Sequence, residues 1–148
     1  MSALRTILYV EDDARVRALV KMVLEVAGHY DVIDCGSARA ALALAAYCEP
    51  DLLLLDAAMP GLDGLATLGQ LRRFPQMAHT PVIFLTGHTA SWNVAQYMAA
   101  GALGMIAKPV APPRLVAQLR ALWQRPRGPR ALERNKAPAQ TVSTPARS

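Results

Sequence analysis

Four places in the chain carry side chains that could do chemistry together: Glu11-Asp12-Asp13, Asp56, Thr86 and Lys108. Each closes a short apolar run, with ILYV before Glu11, LLLL before Asp56, VIFL before Thr86 and LGMIA before Lys108. Carboxylates gathered at one point repel one another and hold their protons more tightly unless a cation offsets them. Oxygen ligands alone favour a hard divalent ion, Mg²⁺ or Mn²⁺, over zinc. Lys108 would bring a second positive charge, and Thr86 a hydroxyl donor. Such a set could receive a tetrahedral dianion, with metal, ammonium and hydroxyl each on its oxygens. A carboxylate at the centre could then act as nucleophile and form an acyl phosphate. Catalysis would rest on positioning and charge neutralisation.

Taken singly, these residues have plainer readings. Asp13 suits an N-cap favoured by the helix dipole. Thr86 alone would be a turn cap, and Lys108 a surface lysine. Asp63-Gly64 reads as turn chemistry that opens a helix. Asp56 resists such a reading, because a carboxylate ending a strand covered on both faces needs a partner. The conjunction at successive strand ends carries the argument.

The elements that must position these groups alternate along the chain. Thr6 to Val10 is a short apolar run. From Ala14 the period becomes helical, with Val16, Leu19, Val20, Val23 and Ala27 in register and Gly28 as a C-terminal stop. Tyr30 to Cys35 is a second strand, and Ser37 caps an Ala-rich helix running to about Tyr47. Leu52 to Leu55, apolar without alternation, suits a strand of a parallel sheet buried on both faces. A loop from Asp56 to Gly64 leads into a helix over Leu65 to Arg73. Val82 to Leu85 is a strand, residues 90–100 a helix stopped by Gly101, and Leu103 to Ile106 the last strand. Pro112-Pro113 then opens a helix with Leu115, Leu119, Leu122 and Trp123 on one face. Five strands alternating with five helices predict right-handed crossovers and a doubly wound parallel sheet. Ligands of such sheets bind beyond the carboxyl ends of the strands, where the order reverses.

With 148 residues, the chain suits one domain able to bury a core without disulfides. Its 53% hydrophobic content excludes a wholly disordered chain. The net charge of +5 is unevenly spread. Residues 1–124 carry ten basic and ten acidic side chains, whereas Arg125, Arg127, Arg130, Arg134, Lys136 and Arg147 face a single Glu133. We therefore expect a domain over 1–124 and a basic, Pro/Arg-rich tail over 125–148 that stays disordered for want of large apolar side chains. Cys35 and Cys48 lack metal or redox spacing and are expected to be reduced. His29, His79 and His88 lie at unrelated positions, which argues against a histidine metal site. No basic-then-apolar leader and no apolar stretch of the ~20 residues needed to span a bilayer is visible, so a cytoplasmic location is expected.

The motifs ILYVEDD at 7–13, PDLLLLDAAMPGLDG at 50–64, PVIFLTG at 81–87 and AKP at 107–109 together resemble the receiver family of two-component signalling. The likeness spans about residues 4–124 and is strongest to single-domain chemotaxis-type regulators. It implies a flavodoxin-like α/β fold with five parallel strands in the order 2-1-3-4-5 and five flanking helices. It further implies Asp56 as phosphoacceptor and Asp12 and Asp56 as metal ligands. The Ala58 backbone carbonyl would be a third ligand, with Glu11 acting largely through water. Thr86 and Lys108 would be phosphate partners, with a Lys108-Pro109 bond that is often cis in the family. The phosphodonor would be a histidine kinase or a histidine phosphotransfer protein, the output an unknown downstream protein target, and the catalysis limited to self-phosphorylation and dephosphorylation. Two positions that modulate phosphoryl lifetime in the family are Ala58 and His88 here. Met105 departs from the family pattern, which has an aromatic three residues before the Lys.

Two rival functions follow from the same residues. A Mg²⁺-dependent phosphohydrolase using an aspartyl phosphate would place a second Asp two residues after the nucleophile, where this chain has Ala58. A phosphorylation-independent interaction module could contact nucleic acid through the basic tail, weakly and with strong salt dependence. No recognition helix or aromatic platform accompanies those cations, so nucleic acid is not the expected partner.

Overall fold

The computed structural model describes residues 3–87 and 91–126. The apolar runs become β1 (Thr6–Val10), β2 (Asp31–Cys35), β3 (Leu52–Asp56), β4 (Val82–Thr86) and β5 (Ala102–Ala107). Between and after them lie α1 (Ala14–Val26), α2 (Ala38–Ala45), α3 (Gly64–Leu71), α4 (Ser91–Ala99) and α5 (Pro112–Trp123). All strand pairs are parallel, and the order is β2-β1-β3-β4-β5, as expected. The chain steps outward from β1 to β2, then returns past β1 to β3. The order therefore reverses between the carboxyl ends of β1 and β3, which carry Glu11 and Asp56.

Strand alternation sorts the core into two layers. Ile7, Tyr9, Leu52, Leu54, Ile83 and Leu85 pack with Val20, Val23 and Leu24 of α1 and Leu115, Leu119 and Trp123 of α5. Leu8, Val10, Leu53, Leu55, Val82 and Phe84 face the other way, onto Ala41 and Ala45 of α2 and Leu68 and Leu71 of α3. All four leucines of β3 are fully buried. Each contributes about 1.5–3 kcal/mol of hydrophobic stabilisation, so the central strand is a stiff support for the carboxylate at its end.

Local signals set the helix starts. Asp13 accepts from the Arg15 and Val16 amides at 2.9 and 3.2 Å. Ser37 accepts from Ala40 N–H at 3.0 Å and Asp63 from Ala66 N–H at 2.8 Å. Gly101, with φ 98°, turns the chain out of α4 as expected.

Three local expectations change. On α1, Leu24 is buried and Leu19 is not; Leu19, Met22 and Val26 form an outward stripe. Gly28 is not the left-handed residue of the turn; His29 is, with φ 59°. Gly28 is needed for a close approach instead, since a Cβ there would lie 2.6 Å from the Tyr30 ring and 2.7 Å from the Leu24 carbonyl oxygen. The α2 helix ends at Ala45, and Tyr47 beyond it stands 86% exposed.

Cys35 is buried, Cys48 half-buried, and both are free thiols. Burial and the Asp34 charge push the Cys35 thiol up to about 11, which keeps it unreactive. Among the described residues no helix is long and apolar enough to cross a membrane. His88 and nearly all of the basic tail lie outside the described residues. Arg125, the first basic residue of that stretch, donates from Nη1 to the Leu103 carbonyl at 2.9 Å.

Candidate functional site

Four strand ends meet at the carboxyl edge of the sheet. Glu11 follows β1 and is fully buried, with its N–H on the Cys35 carbonyl at 3.0 Å. Asp56 ends β3 at 2% exposure, and its Oδ1 accepts from Ala58 N–H at 3.2 Å. The register pairs Asp56 with Leu85, which sets Thr86 one step beyond it on β4. Thr86 is buried, and its carbonyl receives the Lys108 N–H at 2.8 Å, tying β4 to the chain just past β5. The Lys108-Pro109 peptide bond is cis.

The three acidic groups do converge. One carboxylate oxygen from each of Glu11, Asp12 and Asp56 lies within 4.8 Å of the others. Glu11 and Asp56 are buried, whereas Asp12 is exposed at the mouth. Lys108 Nζ sits 3.3 Å from Glu11 Oε1 and 3.3 Å from Asp56 Oδ2. These are ion-pair distances without hydrogen-bond geometry. Among the described residues, Glu11 Oε1 and Asp56 Oδ2 are buried with no hydrogen-bond partner. Glu11 Oε2 is better served, by Asp13 N–H at 3.2 Å and Lys108 Nζ at 3.4 Å.

Two buried carboxylate oxygens facing one ammonium leave excess negative charge in a low-dielectric place. Burial, and then the neighbouring Asp56 carboxylate, push Glu11 up to about 7 against the opposing pull of Asp13 N–H and Lys108. Burial opposes the charge on Lys108, but Asp56 and Glu11 outweigh it and raise its pKa. An all-oxygen donor set with two orphaned buried oxygens fits a hard divalent cation. Asp12 and Asp56 could hold it, with Ala58 in the adjoining loop.

Three contributors escaped the sequence reading. Gly64, expected only to start a helix, packs on the backbone at Asp56: a Cβ would lie 2.6 Å from the Asp56 carbonyl oxygen and 2.9 Å from Ala57 Cα. Arg17 reaches back from α1 and donates from Nη1 to the Glu11 carbonyl at 2.8 Å. Tyr9 buries its whole side chain, and its phenol makes no hydrogen bond among the described residues. Burial and then the Glu11 and Asp56 charges keep that phenol protonated. Only Gly64 left a trace in the sequence: an N-capped helix does not itself require glycine at its first position.

Met105 is half-buried against the layer that holds Phe84. An aromatic reaches that layer from α4 instead, where the Tyr97 ring lies 4.7 Å from Phe84 at 43°. Burial, then the Asp63 and Asp56 charges, raise the Tyr97 phenol.

Comparison with known proteins agrees with this fold. Residues 7–120 match the sequence model of the response regulator receiver domain. The phosphate regulon transcriptional regulatory protein PhoB of Pseudomonas aeruginosa is 36% identical over 121 residues, 82% of this chain and 52% of that protein. The transcriptional regulatory protein ResD of Bacillus subtilis is 36% identical over 119 residues, 80% of this chain and 48% of that protein. The chain thus spans about half the length of these curated relatives. Among solved structures, the chemotaxis protein CheY4 of Vibrio cholerae superposes with a TM-score of 0.74 at 31% identity. That match covers 81% of this chain and 99% of the other.

Proposed function

Since the chain belongs to the response regulator receiver family, we propose that Asp56 is the residue that takes the phosphoryl group and that the carboxylate pocket around it holds Mg²⁺ or Mn²⁺. The family is a family of signalling modules, with a phosphoacceptor role in two-component systems. The observation that carries the residue assignment is the pair of buried oxygens on Glu11 and Asp56 that share Lys108 as ion-pair partner yet accept no hydrogen bond among the described residues.

An oxygen of Asp56 attacks the phosphorus of a phosphohistidine. The O–P bond forms as the P–N bond breaks, and the imidazole leaves with the electron pair and takes up a proton. Lys108 moves from pairing the carboxylates to holding an oxygen of the transferred group. The Thr86 hydroxyl, one step along β4, serves another oxygen. Asp12 and Asp56 would hold the cation together with the Ala58 carbonyl, and Glu11 would act through water. When bound there, a divalent cation would supply the charge neutralisation that three carboxylates and an incoming dianion need to share one crevice. Asp12 at the exposed mouth leaves the pocket open to a donor protein.

The donor is a histidine kinase or a histidine phosphotransfer protein, which places the reaction in the cytoplasm, where free Cys35 and Cys48 are at home. Phosphorylation favours one of two conformations and so changes affinity for a downstream protein. With the pocket supplying the chemistry, acetyl phosphate and Mg²⁺ alone should label the protein. Intact-protein mass spectrometry should find one added phosphoryl group, lost with Asp56→Asn and with chelator. Full labelling of Asp56→Asn would overturn the assignment.

A further inference from the structure

The turn after β1 carries two of the three converging carboxylates, and contacts at Glu11 and Asp13 hold its backbone, with Asp13 N–H on Glu11 Oε2 at 3.2 Å and the Asp13 carbonyl accepting from Arg17 N–H at 2.8 Å. Glu11 N–H is fixed by the Cys35 carbonyl of β2. The Glu11 carbonyl accepts from Arg17 Nη1 at 2.8 Å. Arg17 is itself held, because its Nε lies 3.2 Å from Asp34 Oδ2 on β2. Lys21 Nζ takes the other oxygen of Asp34 at 3.1 Å. The space for the guanidinium depends on Gly36, where a Cβ would lie 2.9 Å from Arg17 Nη1. Side chains of α1, a carboxylate of β2 and a glycine just past β2 thus form one clamp on the acidic turn.

We propose that Arg17 is a positioning residue for cation binding: by tying the Glu11 carbonyl to Asp34, it holds Glu11 and Asp12 against Asp56 before the cation arrives. The proposal rests on the phosphoacceptor reading of the pocket and extends it to a residue outside the ligand set. Like charges at the end of β1 favour a splayed turn in the metal-free protein. A turn that must be ordered on binding lowers affinity, and one ordered beforehand does not. Arginine suits the task because its planar fork serves a carboxylate and a carbonyl from different nitrogens, which a single ammonium cannot reproduce. Arg17 acts through the backbone carbonyl of Glu11, a group outside the set facing the cation.

The test compares wild type, Arg17→Ala and Gly36→Ala, the last keeping the arginine but displacing its guanidinium. Free Mn²⁺ is followed by electron paramagnetic resonance during titration. Amide exchange at Asp12 and Asp13 is measured in the metal-free proteins, and the melting temperature in all. Arg17→Ala should weaken Mn²⁺ binding about tenfold, the usual scale for loss of an outer-shell partner. Gly36→Ala should shift affinity the same way, and both should speed exchange at Asp12 and Asp13. A lowered melting temperature with unchanged Mn²⁺ affinity would make Arg17 merely structural and overturn the proposal, leaving the pocket reading intact. Should Arg17→Ala fail to fold, wild-type affinity and exchange in Gly36→Ala overturn it equally. No Mn²⁺ binding by wild type would overturn the pocket reading, and this proposal with it.

Discussion

Glu11 is where the electrostatic strain of the pocket is concentrated. Its carboxyl is pushed up to about 7, by burial first and by Asp56 next. A carboxyl raised by folding contributes stability that is fully present below its ordinary value of 4.5 and is lost as pH rises through about 7. The metal-free protein should therefore lose melting temperature as pH rises from about 5 to 7.5. A cation competes with that proton, so the rise in melting temperature on adding Mg²⁺ should grow over the same window. Glu11→Gln should flatten both trends, and equal Mg²⁺ stabilisation at both ends of the window would contradict this account of Glu11. Asp56 and Lys108 were legible in the sequence because each ends an apolar run, and a strand end is a fixed address. Arg17 and Tyr9 were not, because their roles depend on which strand and helix lie across from them. Met105 was legible as a departure, but Tyr97, which brings a ring to the same layer from α4, carries no sequence sign of that contact.

Among the elements, α3 shows how tightly the scaffold is drawn around the loop after Asp56. Gly64 at its first position lets the helix start against the Asp56 carbonyl and Ala57 Cα. Both neighbours are backbone, so an added methyl cannot be met by rotating a side chain. Gly64→Ala should cost about 1–3 kcal/mol, the range for overpacking a tight contact, and should slow acetyl phosphate labelling by disturbing the Asp56 loop. Chemical denaturation measures the first effect and timed mass spectrometry the second; wild-type values for both would refute the close-approach role. The helix starts were readable from Asp13, Ser37 and Asp63, since capping is a local interaction. The orientation of α1 was not, because Leu19 and Leu24 both fit a helical period and only the docked angle decides between them. The α1–β2 turn misled in the same way: Gly28 looked like the left-handed residue, but the ring of Tyr30 claims the space above it and His29 takes the positive φ.

At the scale of the molecule, two aliphatic layers grip a five-stranded sheet and leave its carboxyl edge for chemistry. Five alternating apolar and helical runs were enough to anticipate a doubly wound sheet, whereas the order of the strands came from likeness to a known family rather than from periodicity. The described fold closes with α5 and the Arg125 bond to the Leu103 carbonyl. Removing residues 127–148 should thus leave the melting temperature and labelling rate at wild-type values, while a drop of several degrees would mean the basic tail packs on the body. The central claim is that Asp56 carries the phosphoryl group, and the most direct measurement is chemical trapping. Borohydride reduces an acyl phosphate to the alcohol but leaves free carboxylates alone, so a phosphorylated aspartate becomes homoserine. After treatment with acetyl phosphate and Mg²⁺ and then borohydride, peptide mapping should place homoserine at position 56 and nowhere else. Homoserine at position 12 or 13, or none anywhere in a protein that gained phosphoryl mass, would contradict the account.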